Sequence, residues 1–186
     1  MKGIHGTCDS YAQKIKLTGF KQSKIGLAGC GIYFWACDDE ELTEYAEALA
    51  VAWWKFQEKN NKYSDCKDAS CSLIKVRLSV HDGLFIDLEA HELKGRMIVA
   101  VNEIYLRLYK RNHKRFAISK AYDLFVKMLE DELQNKADIV RVAVRTPQGF
   151  DATTSPIDFG ITGLPICYIV KNKECIEILS CKKYEA

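Results

Sequence analysis

A histidine stands among small residues near the start of the chain, in Gly3-Ile4-His5-Gly6-Thr7, and Gly29-Cys30-Gly31-Ile32-Tyr33-Phe34 follows one amphipathic segment later. An imidazole donates or accepts a hydrogen bond near neutral pH. Glycines at 6, 29 and 31 leave backbone bare, so a flat ligand can approach open amides. Tyr33 offers a ring face for stacking on an aromatic ligand. A third stretch, Cys167-Tyr168-Ile169-Val170, sets a thiol and a phenol at the opening of a late apolar run. Each piece also has a plain structural explanation: a surface histidine in a turn, a commonplace Gly-x-Gly, a tyrosine packed in a core.

The chain that carries them has 186 residues, enough for a single domain with a proper core. Its 48 % apolar and 28 % charged residues are ordinary globular values, and a net charge of +2 decides nothing by itself. No apolar stretch approaches the roughly 18 residues that cross a bilayer. Met1-Lys2-Gly3-Ile4-His5 runs straight into structure without an apolar leader, so a cytoplasmic protein with no membrane partner is expected. The eight cysteines (8, 30, 37, 66, 71, 167, 175 and 181) include one tight pair, Cys66-x4-Cys71, with no second pair at zinc spacing. Reduced thiols and no metal are the expectation.

Periodicity assigns the elements that must position these groups. Gly3 to Thr7 reads as a strand, followed by a helix from about Ser10 with Cys8, Ala12 and Ile15 on one face, stopped by Gly19. Residues 24–36 hold three glycines and end in an apolar strand. Residues 38–59 read as a helix with acids in its first turn and an apolar stripe of Leu42, Tyr45, Leu49, Trp53 and Phe56. Residues 72–80 alternate as a half-buried strand, helices follow at roughly 88–112 and 117–134, and 138–146 is a strand. The run 147–165 contains all three prolines and no period, the mark of a functional loop or a misread element. Residues 166–179 read as two short strands or one long bent one. The sum is a single α+β domain spanning 1–186.

In this order, His5-Gly6-Thr7, the helix closing in Gly19-Phe20, Gly31-Ile32-Tyr33-Phe34 and the acid-capped helix after it resemble the poly(ADP-ribose) polymerase-like ADP-ribosyltransferases of the His-Tyr-Glu class, in particular bacterial toxin-like members. The resemblance is strong over residues 4 to about 50 and weaker over 166 to 179. It implies a split β-sandwich with helices packed around it, with NAD as co-substrate and nicotinamide as leaving group. His5 would bind the adenosine ribose hydroxyls, the Gly6 backbone the nicotinamide carboxamide, and Thr7 would support the ribose side. Tyr33 would stack on the nicotinamide ring beside Gly31, a further cofactor-binding position, with Tyr45 as the second ring and Thr43 as the nearest hydroxyl for the carboxamide. Tyr45 fits core packing equally well. Aligning Tyr168-Ile169-Val170 with the family's Y-I-V puts Cys167 where the family has its glutamate, which argues against polymer elongation and leaves transfer of single units open, as in family members with an apolar residue there. Glu174, Glu177, Asp151 and Asp158 are the carboxylates that would substitute.

The same resemblance makes the 147–165 loop an acceptor selector through Phe150, Asp151, Thr153, Thr154 and Asp158. Independently of it, Met97, Val101, Ile104, Tyr105 and Leu108 fall at core-facing spacing on one helix. Arg107, Lys110, Arg111 and Lys114 share another face, joined by Arg115. Cations at a helix C-terminus suit the macrodipole, and they also suit phosphates. The expected activity is therefore mono-ADP-ribosylation of a macromolecular acceptor, RNA, DNA or protein. A toxin–antitoxin or antiviral-defence setting and an antitoxin or inhibitor protein as partner come from the family alone. A catalytically inactive NAD- or ADP-ribose-binding module and an NAD glycohydrolase are the alternatives.

Overall fold

Strand and helix periods alternate along the chain, and the computed structural model, which describes residues 1–110, 112–148, 150 and 164–185, shows how they close on one another. Among the described residues the order is β1 Lys2–Cys8, α1 Asp9–Thr18, β2 Ile32–Ala36, α2 Thr43–Lys59, β3 Cys71–Leu78, β4 Leu84–Asp87, α3 His91–Tyr109, α4 Lys114–Leu133, β5 Ala137–Ala143, β6 Ile166–Val170 and β7 Ile176–Lys183. Short 3-10 turns lie at Glu40–Leu42 and Lys173–Cys175. The seven strands form one mixed sheet in the order β4-β5-β6-β2-β1-β3-β7. β4 and β5 run parallel, and the other pairings are antiparallel. The architecture is α+β. No described helix is long and apolar enough to cross a membrane.

The two-residue pleat sorts the apolar side chains onto both faces. Ile4, Trp35, Cys167 and Ile169 turn to the face covered by Leu49 and Ala50 of α2 and by Phe125, Val126 and Leu129 of α4. Phe34, Ile74, Tyr168 and Val170 turn to the other, under Ala12 of α1 and Phe20. Cys8 ends β1, so α1 starts one residue later and buries Ala12, with Ile15 half-buried.

Three expectations need correction. Of the stripe Leu42, Tyr45, Leu49, Trp53 and Phe56, only Leu49 is buried; α2 meets the sheet through Ala46, Leu49 and Ala50. The reason is distance: a Cβ on Gly6 would lie 2.1 Å from the Ala50 carbonyl oxygen. Backbone packed on backbone demands small residues on that face, so the aromatics move to the flank, where Trp54 Nε1 donates to the Ala69 carbonyl (3.0 Å). Second, α3 buries only Met97, while Val101, Ile104, Tyr105 and Leu108 are half-buried, because α3 packs mainly on α4 and not on the sheet. Third, β4 was not expected; four residues are too few to show a period, and they are held by parallel pairing with β5. The 166–179 stretch resolves as two strands parted by the 3-10 turn, whose Glu174 N–H is capped by the Asn172 side chain.

The contact at Gly6 gives a direct test. Gly6→Ala should destabilise the fold by about 2–3 kcal/mol through overpacking, a fall of roughly 4–10 °C in Tm for a chain of this size. Gly19→Ala, at φ +75 with nothing within 4 Å, should cost about 1 kcal/mol. Equal melting shifts for the two variants would contradict the close approach of α2 to β1.

Candidate functional site

The sheet opens in its middle. β1 stays paired with β3 from Lys2 to Cys8, yet it pairs with β2 only at Gly3↔Ala36 and Ile4↔Trp35. The Lys2 N–H donates to Asp38 Oδ1 (2.7 Å), and the Cys37 N–H donates to the Lys2 carbonyl (3.0 Å). Peptide groups of an antiparallel strand alternate in direction, so Ile4 and Gly6 present N–H and C=O to the same side as Lys2, towards β2. In a continued ladder Gly6 would meet Tyr33. Instead the His5 ring takes the Tyr33 carbonyl, with Nδ1 2.9 Å from the oxygen. The imidazole therefore occupies a rung of the ladder and leaves the Gly6 peptide facing the gap.

That bond also fixes the state of His5. A carbonyl oxygen only accepts, so Nδ1 carries the proton and Nε2 keeps its lone pair. The ring stands edge-on to Phe20 (centroids 5.4 Å, 84°) and tilted to Phe34 (5.9 Å, 60°). Burial among these rings lowers the His5 pKa, against the smaller raising effect of the Tyr33 carbonyl. The result is a neutral imidazole with an acceptor nitrogen.

The opposite lip is the glycine loop before β2. The Tyr33 hydroxyl donates to the Gly29 carbonyl (2.5 Å) and accepts from the Ala28 N–H (2.9 Å), and burial drives its pKa far above the usual phenol value. Its hydroxyl is thus committed to the loop, and what it offers the cleft is ring surface. Gly31, at φ +143, adopts a backbone that a side chain would strain, and a Cβ there would strike Ile169 Cγ2 at 2.5 Å. The loop is clamped from outside. The Cys30 N–H donates to Asp123 Oδ1 (2.8 Å), Lys171 Nζ donates to the Cys30 carbonyl (2.5 Å) and to Asp123 Oδ1 (3.1 Å), and the Gly26 N–H donates to Ser119 Oγ (3.1 Å). Sequence reading missed Ser119, Asp123 and Lys171: no local signal marks partners that lie 93 or 141 residues away.

Between the two lips lies a cleft of about 920 Å³, within the range of small-molecule sites. His5, Gly6, Thr7, Gly31, Tyr33 and Cys167 all line it. Among its described lining residues there is no Asp or Glu, whereas Lys14, Lys21, Lys24, Lys62 and Arg115 are present. Cys167 sits opposite Trp35 in β6, is 1 % exposed, and has its thiol pKa raised well above the ordinary value by burial. A neutral, buried thiol cannot do a carboxylate's electrostatic work.

Other expected residues lie elsewhere. Tyr45 packs edge-on against Phe150 (6.0 Å, 82°), and neither lines the cleft. Thr43, the first residue of α2, is also outside the lining. Glu174 belongs to the 3-10 turn before β7, and Glu177 pairs with Arg77 (2.8 Å); neither reaches the cleft. Arg107 is paired with Glu103 (3.9 Å), while Lys110 and Lys114 are exposed away from the cleft. Of that basic helix end, Arg115 alone among the described residues turns into the lining. Arg111, Asp151, Thr153, Thr154 and Asp158 lie outside the described residues. Among the described residues no group of three or more His, Cys, Asp or Glu side chains is placed to hold a metal ion.

No family model matches the chain, and comparison with curated proteins and with solved structures gives no match. The geometry has to speak for itself: a bare peptide, an imidazole acceptor and an aromatic wall share a cationic cleft, which suits a flat, hydroxyl-bearing polyanion.

The depressed His5 pKa sets a pH dependence. The unfolded chain binds a proton near pH 6.5 that the folded His5 refuses, so stability from this group is complete above 6.5 and falls as pH drops through the lower folded value. Urea unfolding should show a shallower loss of stability on acidification in His5→Phe than in the parent. Identical acid slopes would contradict a buried, neutral His5.

Proposed function

We propose that the cleft binds NAD and that the chain is a toxin-like mono-ADP-ribosyltransferase, with the parting of its one seven-stranded sheet between β1 and β2 standing for the split of a split β-sandwich. The observation that carries this reading is the parting of β1 from β2 at His5, where the Gly6 peptide faces the gap and His5 lines the same cleft. A nicotinamide carboxamide both donates and accepts, which fits the N–H and C=O of Gly6. The Tyr33 ring beside it supplies a stacking wall. A ribose hydroxyl would donate to His5 Nε2, and the cations of the lining suit the pyrophosphate.

In the reaction the C–N bond between ribose and nicotinamide breaks, and nicotinamide leaves with the electron pair. A nucleophilic atom of the acceptor then bonds to the ribose carbon and loses its proton. With no carboxylate among the described lining residues, positioning and oriented peptide groups would supply most of the stabilisation of charge developing on the ribose. Asp151 and Asp158 are the sequence candidates for a substitute. An inhibitor protein covering the cleft would be the partner in a toxin setting.

A second reading, a binding module that holds NAD or ADP-ribose without turnover, draws on one specific observation: the family glutamate position holds the buried, neutral thiol of Cys167.

NAD labelled on the adenine side, incubated with the protein and separate pools of RNA, DNA and cell protein, separates these readings. Transfer of label with nicotinamide release is expected, and His5→Ala should lower both at least 10-fold. Nicotinamide without label on any pool would mark a glycohydrolase, and saturable NAD binding without release the binding module. Absence of NAD binding would overturn the proposal.

A further inference from the structure

The cleft holds more positive charge than NAD can use. Six exposed cations, Lys14, Lys21, Lys24, Lys62, Lys173 and Arg115, enter no ion pair among the described residues. Five of them line the cleft, and Lys173 with Lys21 lines a second groove of about 470 Å³. The two hollows adjoin at Phe20, Lys21 and Gln22 and together make a trough in two parts. From Ser10 to Cys37 the sequence has four lysines and no Asp or Glu, in a chain whose net charge is only +2. The surface is therefore segregated by charge at this trough. The pyrophosphate of NAD offers two charges, which leaves several cations along the trough unanswered.

We infer that the acceptor is single-stranded nucleic acid, tracked by this trough from Lys173 past Lys21 and Lys24 to the open sheet at His5. The inference rests on the NAD reading for the transfer step, but not for the binding. Repeated phosphates answer a row of unpaired lysines, and exposed bases answer the aromatic rings that line the same hollow, Tyr11 and Trp53. A duplex hides its base faces from those rings, and an acidic protein segment offers charge without faces to stack. The acceptor atom supplies its electron pair to the ribose carbon as nicotinamide leaves, and its proton passes to solvent.

Fluorescence anisotropy of fluorescein-labelled 20-nucleotide RNA and DNA strands tests this without NAD present. Saturable binding is expected, weakening roughly 50-fold between 50 and 200 mM salt if about four phosphates are contacted. Lys21→Glu/Lys24→Glu should weaken it at least 10-fold. The charge-matched pair Arg96→Glu/Lys127→Glu, on α3 and α4 outside the trough, should change it less than 2-fold. Equal loss in both pairs, tighter binding of the matching duplex, or displacement of the strand by polyglutamate of equal charge would each overturn the inference. If NAD binds in calorimetry and the strands do not bind at 50 mM salt, the nucleic-acid acceptor fails while the NAD reading stands. If the strands bind and NAD does not, the trough stands and the transferase reading fails.

Discussion

A single hydrogen bond, from His5 Nδ1 to the Tyr33 carbonyl, decides the shape of the molecule's centre. In an uninterrupted sheet that carbonyl would receive the Gly6 N–H, and β1 and β2 would close along their length. With the imidazole inserted, the ladder stops after Ile4↔Trp35, and a peptide group is released towards the cleft. The ring can remain there because it is neutral. Phe20 and Phe34 enclose it in an apolar setting that penalises the charged form.

An opening of this kind would collapse if its two lips were free to approach. β1 is held from behind by full pairing with β3 and from above by α2, whose Ala50 carbonyl fits only against a glycine. The opposite lip is fixed by the Tyr33 hydroxyl from within and by Ser119, Asp123 and Lys171 from without. The Asp123–Lys171 pair is largely buried, with side chains 19 % and 16 % exposed, so its hydrogen bonds to the Cys30 peptide are better shielded than those of a surface ion pair. α4 and Lys171, far along the chain, thereby maintain a site made mostly from the first 35 residues, completed by Trp53, Gln57, Lys62, Arg115 and Cys167.

Much of this was legible in the sequence because it is local. The strand at His5, the helix stopped by Gly19, the glycine loop and the apolar strands each follow from period and turn chemistry. His5, Gly6, Thr7, Gly31, Tyr33 and Cys167 line one cleft. What failed was long-range. The close approach of the Ala50 carbonyl, which requires a glycine at position 6 whatever the Gly6 peptide binds, left no local signal. Tyr45 looked equally suited to stacking and to packing, and the structure sets it against Phe150. The stripe on α2 was read by size, whereas the distance of closest approach selected alanines. Cations at 14, 21, 24 and 62 carried no pattern in sequence, because the helix α1, the loop before β2 and the turn after α2 bring them together.

The central claim is that the released Gly6 peptide and His5 form the recognition point for NAD. Its most direct test is a titration of the isotope-labelled protein with NAD, followed through the Gly6 amide resonance. A saturable shift of that amide, together with a change at the unprotonated His5 nitrogen, is the predicted result. Saturation of NAD binding with the Gly6 amide unmoved, or no binding at all, would contradict the account.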